Sequence, residues 1–568
     1  VYHIFMALQS TDPTTNPLYY LDYLEFLLEF VSDRYRNVLL VEETQSLDRF
    51  LACSLNARAL YGRLLTRKPS YFRVDKITYP EISDIPNAID ELIRVEFLEP
   101  VTAPRRDLDI SMRSKAELKS CGALRVPGLA QAHRQVIDQA LITSDQDIPK
   151  LMIVRQRKRG LMSICQHLFF GNPHQHLDEF VRTDLGHQVF ESVDLSLSRS
   201  FLDRETFDLA RLLAVLKHWA TELEVCSRQL RRSPDPIARL DLLRQLADLK
   251  SLMPFRSKMP SLSRLQDKLY LLLGQSFERL GATDDAISCY RGTTRPPSRE
   301  RQARLQSQNT DIVRRLCFEI LEASTDASEL SYAHKQLKHE NGIRLNGIQH
   351  PRPPIPRRDI TLEIDISVNI EQQIVDVYKG QGLTALHIEN HLFPGLFGLL
   401  FWEVIFLPIQ GAFHHPFERG PADLYEPDFY NHRAQMFEAR FNMLANSEYR
   451  ADQLGLLFGA KQGITNPFVY WPAVSLDLFS QVMTQTPWSA LEAIFRRLLK
   501  DPKAFRKGFP DLVVLRAETY ELIEIKGPGD RLQNHQIAWL EFLIAQGITA
   551  STLFITAEEP RSNECELS

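Results

Sequence analysis

The sequence predicts a multidomain chain, mostly helical over its first part and α/β at its C-terminal end. Three observations predict this. Between residues 200 and 345 apolar side chains recur at helical spacing and strand-like runs are almost missing. The Pro-rich basic segment HPRPPIPRR, 350–358, then interrupts regular structure. Beyond it GFPDLVVLRAETYELIEIKG, 508–527, reads as two adjacent strands joined by a polar turn at Arg516 to Thr519. A length of 568 residues holds three or four domains rather than one.

Taken in order, residues 18–36 (LYYLDYLEFLLEFVSDRYR) space their apolar positions three and four apart and form a helix. From Leu47 the chain reads helix, then the basic extended stretch ALYGRLLTRKPSYFRVDKITY, then IPNAIDELIRVEFLE, a helix ending in a short strand. That order resembles a winged-helix unit, a generic small helical domain fits it equally, and a first domain is expected over 1–100. Residues 102–142 carry two short helical patterns, MRSKAELKSCGAL and GLAQAHRQVIDQAL. In LFFGNPHQHLDEFVRTDLGH, 168–187, Gly171-Asn172 makes a turn and Leu177, Phe180, Val181 and Leu185 form a core stripe. His174, His176 and His187 have no Cys or carboxylate at ligand spacing, which argues against a metal there.

A helical domain over 201–349 contains LDLLRQLADLKSLM and one convincing TPR-like pair. In that pair Leu271, Gly274, Phe277, Leu280, Gly281, Ala286 and Tyr290 keep the spacing at which small residues let helices approach. A linker is expected over 350–359 and an α/β domain over 360–568, opened by ITLEIDI and QQIVDVY as paired strands or as a strand and its extension. Leu396 to Leu407 is a buried helix interrupted by Gly398, Trp402 and Glu403. With no apolar run of membrane-spanning length elsewhere, no membrane partner is expected. Residues 409–432, with His414, His415 and His432, are either a mobile substrate-contacting loop or a family-specific insertion. Helices follow around 433–444, 447–457 and 490–499. After the hairpin, Asp530 as N-cap and Gln533 at the capping-box position open a helix that places Gln536 in its second turn, and STLFITA, 551–557, is a last strand.

The chemistry concentrates at the hairpin. Asp511 opens its first strand directly after Pro510, and Glu524 and Lys526, two apart on the second strand, share one face while Ile525 points to the other. Two carboxylates and an ammonium beside an apolar sheet suit phosphodiester hydrolysis: hard oxygen ligands for a divalent cation, and positive charge for the water or the developing phosphorane. An ordinary hairpin with a solvated Glu–Lys pair would show the same three residues. The pattern Pro-Asp, spacer, Glu-x-Lys resembles the PD-(D/E)xK nuclease superfamily. KGPGDRLQNHQIAWLEFL, with Gln536 and Trp539, looks like its VRR-NUC branch. ALHIENHLFPGLFGLLFWEVIF supplies Glu389 in an H-x-E-N context similar to the remaining acidic motif of the Fanconi-associated nucleases. His387 and His391 flank Glu389, but H-x-E-N-H is not H-E-x-x-H, so packing or DNA contact is favoured over zinc.

The resemblance implies a restriction-endonuclease-like α/β nuclease domain behind DNA-binding and TPR-like helical regions, with a SAP-like module over 101–200 that the residues there match weakly. It implies a structure-selective 5′-flap endonuclease and 5′ to 3′ exonuclease acting in interstrand crosslink repair. One or two Mg²⁺ or Mn²⁺ ions would be held by Glu389, Asp511, Glu524 and the Ile525 carbonyl, with Lys526 acting on the water or the phosphorane and Gln536 fixing the network. It further implies a bacterial-type member working in the cytoplasm at the nucleoid, or in the nucleus in a eukaryote. No ubiquitin-binding Cys/His finger is visible, and protein partners are not indicated. A Holliday-junction resolvase and a non-catalytic DNA-binding scaffold remain as rivals; the long helical portion argues against the first and the intact Asp511, Glu524 and Lys526 against the second.

A net charge of −5 gives no global sign of nucleic-acid binding, so DNA contact must be local. Arg58, Arg63, Arg67, Lys68, Arg73 and Lys76 are opposed nearby by Asp75 alone; Lys150, Arg155, Arg157, Lys158 and Arg159 form a second cluster. Arg295, Arg299, Arg301 and Arg304 form a third, and Arg496, Arg497, Lys500, Lys503, Arg506 and Lys507 a fourth. Each could equally be a solvated face. Cys53, Cys121, Cys165, Cys226, Cys289, Cys317 and Cys565 are scattered singly, which points to a reducing compartment and away from structural zinc. The start at Val1 shows no secretory leader pattern.

Overall fold

A computed structural model describes residues 16–102, 105–120, 132–143, 148, 150–175, 188–232, 235–324, 326–339, 353–362 and 369–557. His176, His187 and the stripe of Leu177, Phe180, Val181 and Leu185 lie outside the described residues, as do Cys121 and Cys565. Two units are present, Val1–Gln188 with Ser200–Asp208, and Val189–Arg199 with Leu209–Ser568.

The first unit gathers around the helix Tyr19–Tyr35, which buries Leu21, Leu24, Phe26, Leu28 and Val31 among others and is therefore apolar over most of its girth. Strands β1 (Tyr71–Arg73) and β2 (Leu98–Pro100) do not pair with each other. Both flank β3 (Ile153–Gln156), giving the antiparallel order β1-β3-β2. Three-residue strands need a partner to complete their ladders, and here the partner comes from beyond residue 100, from the segment expected to be SAP-like. Phe50, Tyr61 and Phe97 pack ring to ring beneath it, with centroids 4.8 to 5.3 Å apart.

In the second unit the TPR-like reading rests on one close approach. The helices Pro260–Arg279 and Thr283–Arg291 meet where Gly274 faces the Tyr290 ring; a Cβ at Gly274 would sit 2.6 Å from Tyr290 Cε1. The ring cannot step aside, because Tyr290 is fully buried and its hydroxyl donates to Glu278 at 2.6 Å.

The α/β part carries a five-stranded sheet in the order β4 (Arg357–Leu362), β8 (Ala550–Ala557), β7 (Tyr520–Lys526), β6 (Leu512–Leu515), β5 (Thr384–His387). The β4–β8 and β8–β7 pairs are parallel, and the β7–β6 and β6–β5 pairs antiparallel. One face packs on Ile374 and Val375 of the helix Ile370–Gly380. The other faces a larger core built around the wholly buried helix Leu392–Leu400.

Four expectations change here. QQIVDVY is helical, not a strand: Ile370, Ile374, Val375 and Tyr378 fall on one helical face, and Asn369 caps the helix through the Glu371 amide. Strand β4 begins at Arg357, inside the expected linker, because its backbone pairs with β8. The last helix, Asn534–Ala545, is capped by Gln533 in a reciprocal box with Gln536, so Gln536 sits in the first turn; Asp530 instead accepts the Gly527 amide at 3.1 Å. The 409–432 loop is packed rather than loose. Phe413, His415 and Phe417 are buried, and the Ser198 hydroxyl bonds the backbone of Ile409 and Phe413. Within it Glu418, half-buried by accessible surface, draws its carboxylate in to the His414 amide at 2.7 Å. Burial pushes its pKa up to about 8 against the pull of the His414 and His415 amides.

Ala has a helix propensity about 1 kcal/mol better than Gly, whereas overpacking costs about 1–3 kcal/mol. Gly274→Ala is therefore expected to lower the melting temperature, and an unchanged or raised value would refute the tight crossing. For Glu418, the folded carboxyl holds its proton up to about pH 8 and the unfolded one releases it near 4.5. The folded state thus carries the extra proton between these values, and stability falls as pH rises through that window. Glu418→Gln should be stabilising relative to wild type by a margin that grows from pH 5 to pH 8, as read by thermal melting; a pH-independent margin would show that the carboxyl is ordinary.

Candidate active site

Strand pairing assembles the acidic residues. His387 pairs with Leu512 at the end of the β5–β6 ladder, and just past it the amides of Ile388 and Glu389 both donate to the Asp511 carbonyl, each at 2.9 Å. On the other side Leu512 pairs with Ile523, so one step further Asp511 stands opposite Glu524, on the same face. The Ile525 amide donates to Asp511 Oδ2 at 2.7 Å. Glu389, Asp511 and Glu524 thus come from three adjacent strands that meet at one end of the sheet.

Glu524 is fully buried. Its Oε1 accepts from Lys526 Nζ at 2.7 Å and from Gln536 Nε2 at 2.5 Å, while Oε2 is buried without a hydrogen-bond partner among the described residues. Gln536 is set for this by its helix: its Oε1 accepts the Gln533 amide at 3.0 Å, leaving Nε2 to reach Glu524. Burial raises the pKa of Glu524, and the Asp511 charge adds to that, opposed by Lys526. Burial likewise raises Asp511, opposed by the Ile525 amide and Lys526, with Glu371 and Glu389 pushing the same way as burial.

A hard divalent cation suits this donor set: the buried, unpartnered Oε2 of Glu524 is an oxygen that burial penalises unless something positive faces it, and Asp511 lies opposite. The closed three-carboxylate cluster is not formed, however. Among the described residues no three His, Cys, Asp or Glu side chains are grouped as an ion would need them. Glu389, exposed, is brought alongside by its backbone while its Oε1 accepts from Asn390 Nδ2 at 3.0 Å. Glu371 was missed in sequence. Its charge reaches Asp511 because it sits in the first turn of a helix that the β-branched run QQIVDVY disguised as a strand; Asn369 as an N-cap two residues earlier was the available signal.

The basic clusters are less free than their sequence suggests. Arg58 pairs with Glu25 and Arg63 with Glu81, both at 2.5 Å; Lys76 reaches Glu117 at 3.3 Å, and Arg67 lies over the Tyr79 ring at 5.2 Å. Arg73 is buried, bound by Asp75, Glu117 and the Met112 carbonyl. Arg155 and Arg157 share Glu99, Lys158 faces Glu96 at 3.9 Å, and Arg159 bonds the carbonyls of Leu65, Arg67 and Lys68. Glu25, Glu81 and Glu117 come from other parts of the chain, so Asp75 is not the only opposing charge. Lys68 and Lys507 are exposed, and Arg506 donates to the Tyr425 hydroxyl at 2.5 Å. Arg73 is buried and Arg159 half-buried, and both are held by acceptors of the chain itself.

Residues 446–553 match the VRR-NUC domain and residues 18–99 the FAN1 HTH domain. A Fanconi-associated nuclease 1 homologue of Pseudomonas aeruginosa is 30% identical over 562 residues, covering 93% of each chain. The chain belongs to the Fanconi-associated nuclease family. Against the human Fanconi-associated nuclease 1 it is 23% identical, covering 97% of this chain and 63% of that one. Among solved structures, paFAN1 bound to 2-nucleotide 5′-flap DNA with a gap superposes with a TM-score of 0.73 at 27% identity, covering 96% of this chain and 99% of that one. The same protein with a 1-nucleotide flap gives 0.71 at 28% identity, covering 96% and 100%.

Arg73→Ala should destabilise the fold by about 1–3 kcal/mol in denaturant unfolding, since it removes the buried guanidinium that joins Asp75, Glu117 and the Met112 carbonyl, whereas Lys68→Ala should leave stability unchanged. Equal stabilities would return Arg73 to the surface-contact group.

Proposed function

We propose that the chain is a structure-selective DNA nuclease that incises near the junction of 5′ flaps and degrades 5′ to 3′, serving interstrand crosslink repair. The observation that carries this is the buried Glu524 held against Lys526 and Gln536 with Asp511 opposite, within a chain that aligns along nearly its whole length with a 5′-flap-bound relative. Glu389, Asp511, Glu524 and the Ile525 carbonyl would hold Mg²⁺ or Mn²⁺, which when bound would polarise the phosphate and acidify water. Lys526 sets its ammonium beside the carboxylates, where it can orient the attacking water or offset charge on the phosphorane. Gln536 keeps Glu524 Oε1 engaged and so leaves Oε2 as the oxygen without a partner among the described residues. Asp511, fixed by the Ile525 amide, presents its other oxygen, Oδ1.

DNA would be followed by the exposed cations Arg67, Lys68 and Lys507 and the half-buried Arg506, with Arg58, Arg63, Lys76, Arg155, Arg157 and Lys158 exchanging carboxylate partners for phosphates. Because each such exchange first breaks an ion pair, the slope of affinity with salt should be shallower than the cation count implies. A protein of this activity works where chromosomal DNA is, in the bacterial cytoplasm or a eukaryotic nucleus. No helix of the described residues is long and apolar enough to cross a membrane.

Cleavage of labelled 5′-flap, 3′-flap, four-way-junction and duplex DNA tests this reading. Incision of the 5′ flap in Mn²⁺ or Mg²⁺, its loss in EDTA, and a fall of a thousandfold or more in Asp511→Ala and Lys526→Ala with DNA affinity retained are expected. Symmetric cutting of the four-way junction would favour a resolvase, and binding without cleavage in any metal would favour a scaffold.

A further inference from the structure

We propose that Asn390 is a positioning residue that ties Glu389 to the Gly508–Asp511 corner, setting the separation between acidic groups that arrive on different strands. The proposal rests on the metal-dependent reading of the site. Asn390 bridges two segments 118 residues apart: its Oδ1 accepts from the Gly508 amide at 2.8 Å and the Phe509 amide at 3.3 Å, and its Nδ2 donates to Glu389 Oε1 at 3.0 Å. The amide can sit only one way round. Flipping it would set its NH₂ against two N–H donors and its oxygen against a carboxylate.

Both ends of this bridge are held in demanding backbone conformations. Glu389 has φ of 34°, in the left-handed region that a Glu rarely enters, and Gly508 has φ of 93°. Gly508 also lies flush on the last helix: a Cβ there would meet the His535 carbonyl oxygen at 3.1 Å. Next to it the Phe509 ring stacks on Trp539 with centroids 3.9 Å apart. The corner that Asn390 grips is therefore fixed to the helix that delivers Gln536 to Glu524. From the other side, the Asp511 carbonyl fixes only the backbone of Glu389. An exposed Glu side chain on a fixed backbone still has three free torsions, and Asn390 is the group that limits them.

Groups that orient a metal ligand typically change metal affinity ten- to a hundredfold when removed. The test is a Mn²⁺ titration of the full chain followed by electron paramagnetic resonance of the free ion. It compares wild type, Asn390→Ala and Asn390→Asp, with DNA affinity and melting temperature measured in EDTA. Asn390→Ala should weaken Mn²⁺ binding about tenfold with DNA affinity unchanged, and lower the melting temperature through the two amides it leaves unpaired. Asn390→Asp, which keeps an acceptor for the Gly508 and Phe509 amides but cannot donate to Glu389, should keep the melting temperature and DNA affinity of wild type while still weakening Mn²⁺ binding. Unchanged Mn²⁺ binding in Asn390→Ala would overturn the assignment. So would an Asn390→Asp that binds Mn²⁺ as wild type does, or one that loses DNA affinity and melting temperature in parallel, which marks a purely structural role. Wild type failing to bind Mn²⁺ would instead overturn the metal reading, and the assignment with it.

Discussion

The site depends on one peptide carbonyl. Asp511 accepts the amides of both Ile388 and Glu389 through its backbone while its side chain accepts the amide of Ile525, so a single residue joins β5, β6 and β7 at their ends. Main-chain hydrogen bonds fix register, and register fixes which face each side chain occupies. A slip of one residue on either side of β6 would turn an acidic group into the core. Acidic residues far apart in sequence are thereby assembled by the sheet itself, and the side chains only refine what the ladders impose.

Such an arrangement concentrates like charge in a poorly solvated place, which is costly unless compensated. Compensation is local: Lys526 on the same strand face as Glu524, the Gln536 amide from the following helix, and the Ile525 amide on Asp511. The surrounding core keeps these groups from relaxing apart. Leu512, Val514, Ile523 and Ile525 pack on the helix Ile370–Gly380, and Val513 and Leu522 face the core around Leu392–Leu400. Alternation along the strands is what lets one sheet present both layers and still gather its polar groups at one end.

How much of this the sequence disclosed follows from how local each signal is. The hairpin was legible because β-branched runs about a polar turn suffice to define it, and Asp511, Glu524 and Lys526 follow from position and alternation alone. Glu389 needed a resemblance, since nothing near it announces that its backbone will reach Asp511. Glu371 and the helix bearing it were hidden because Ile374, Val375 and Val377 have strand-like side chains, and tertiary packing overrode that preference. The place of Gln536 shifted by a turn because Asp530, a better intrinsic cap, was already engaged by the Gly527 amide. Basic clusters were the least legible: a run of Arg shows how much positive charge is present but not which distant carboxylates fold against it, as Glu25, Glu81 and Glu117 do. The third strand of the small sheet, arriving more than fifty residues after its neighbour β2, was likewise invisible to local pattern.

The most direct measurement is anomalous diffraction at the manganese edge from crystals of the chain soaked in Mn²⁺. The account predicts an anomalous peak within coordination distance of Glu524 Oε2 and Asp511, with Glu389 turned towards it. A soaked crystal with no peak at that end of the sheet, or with manganese only at remote surface carboxylates, would contradict it.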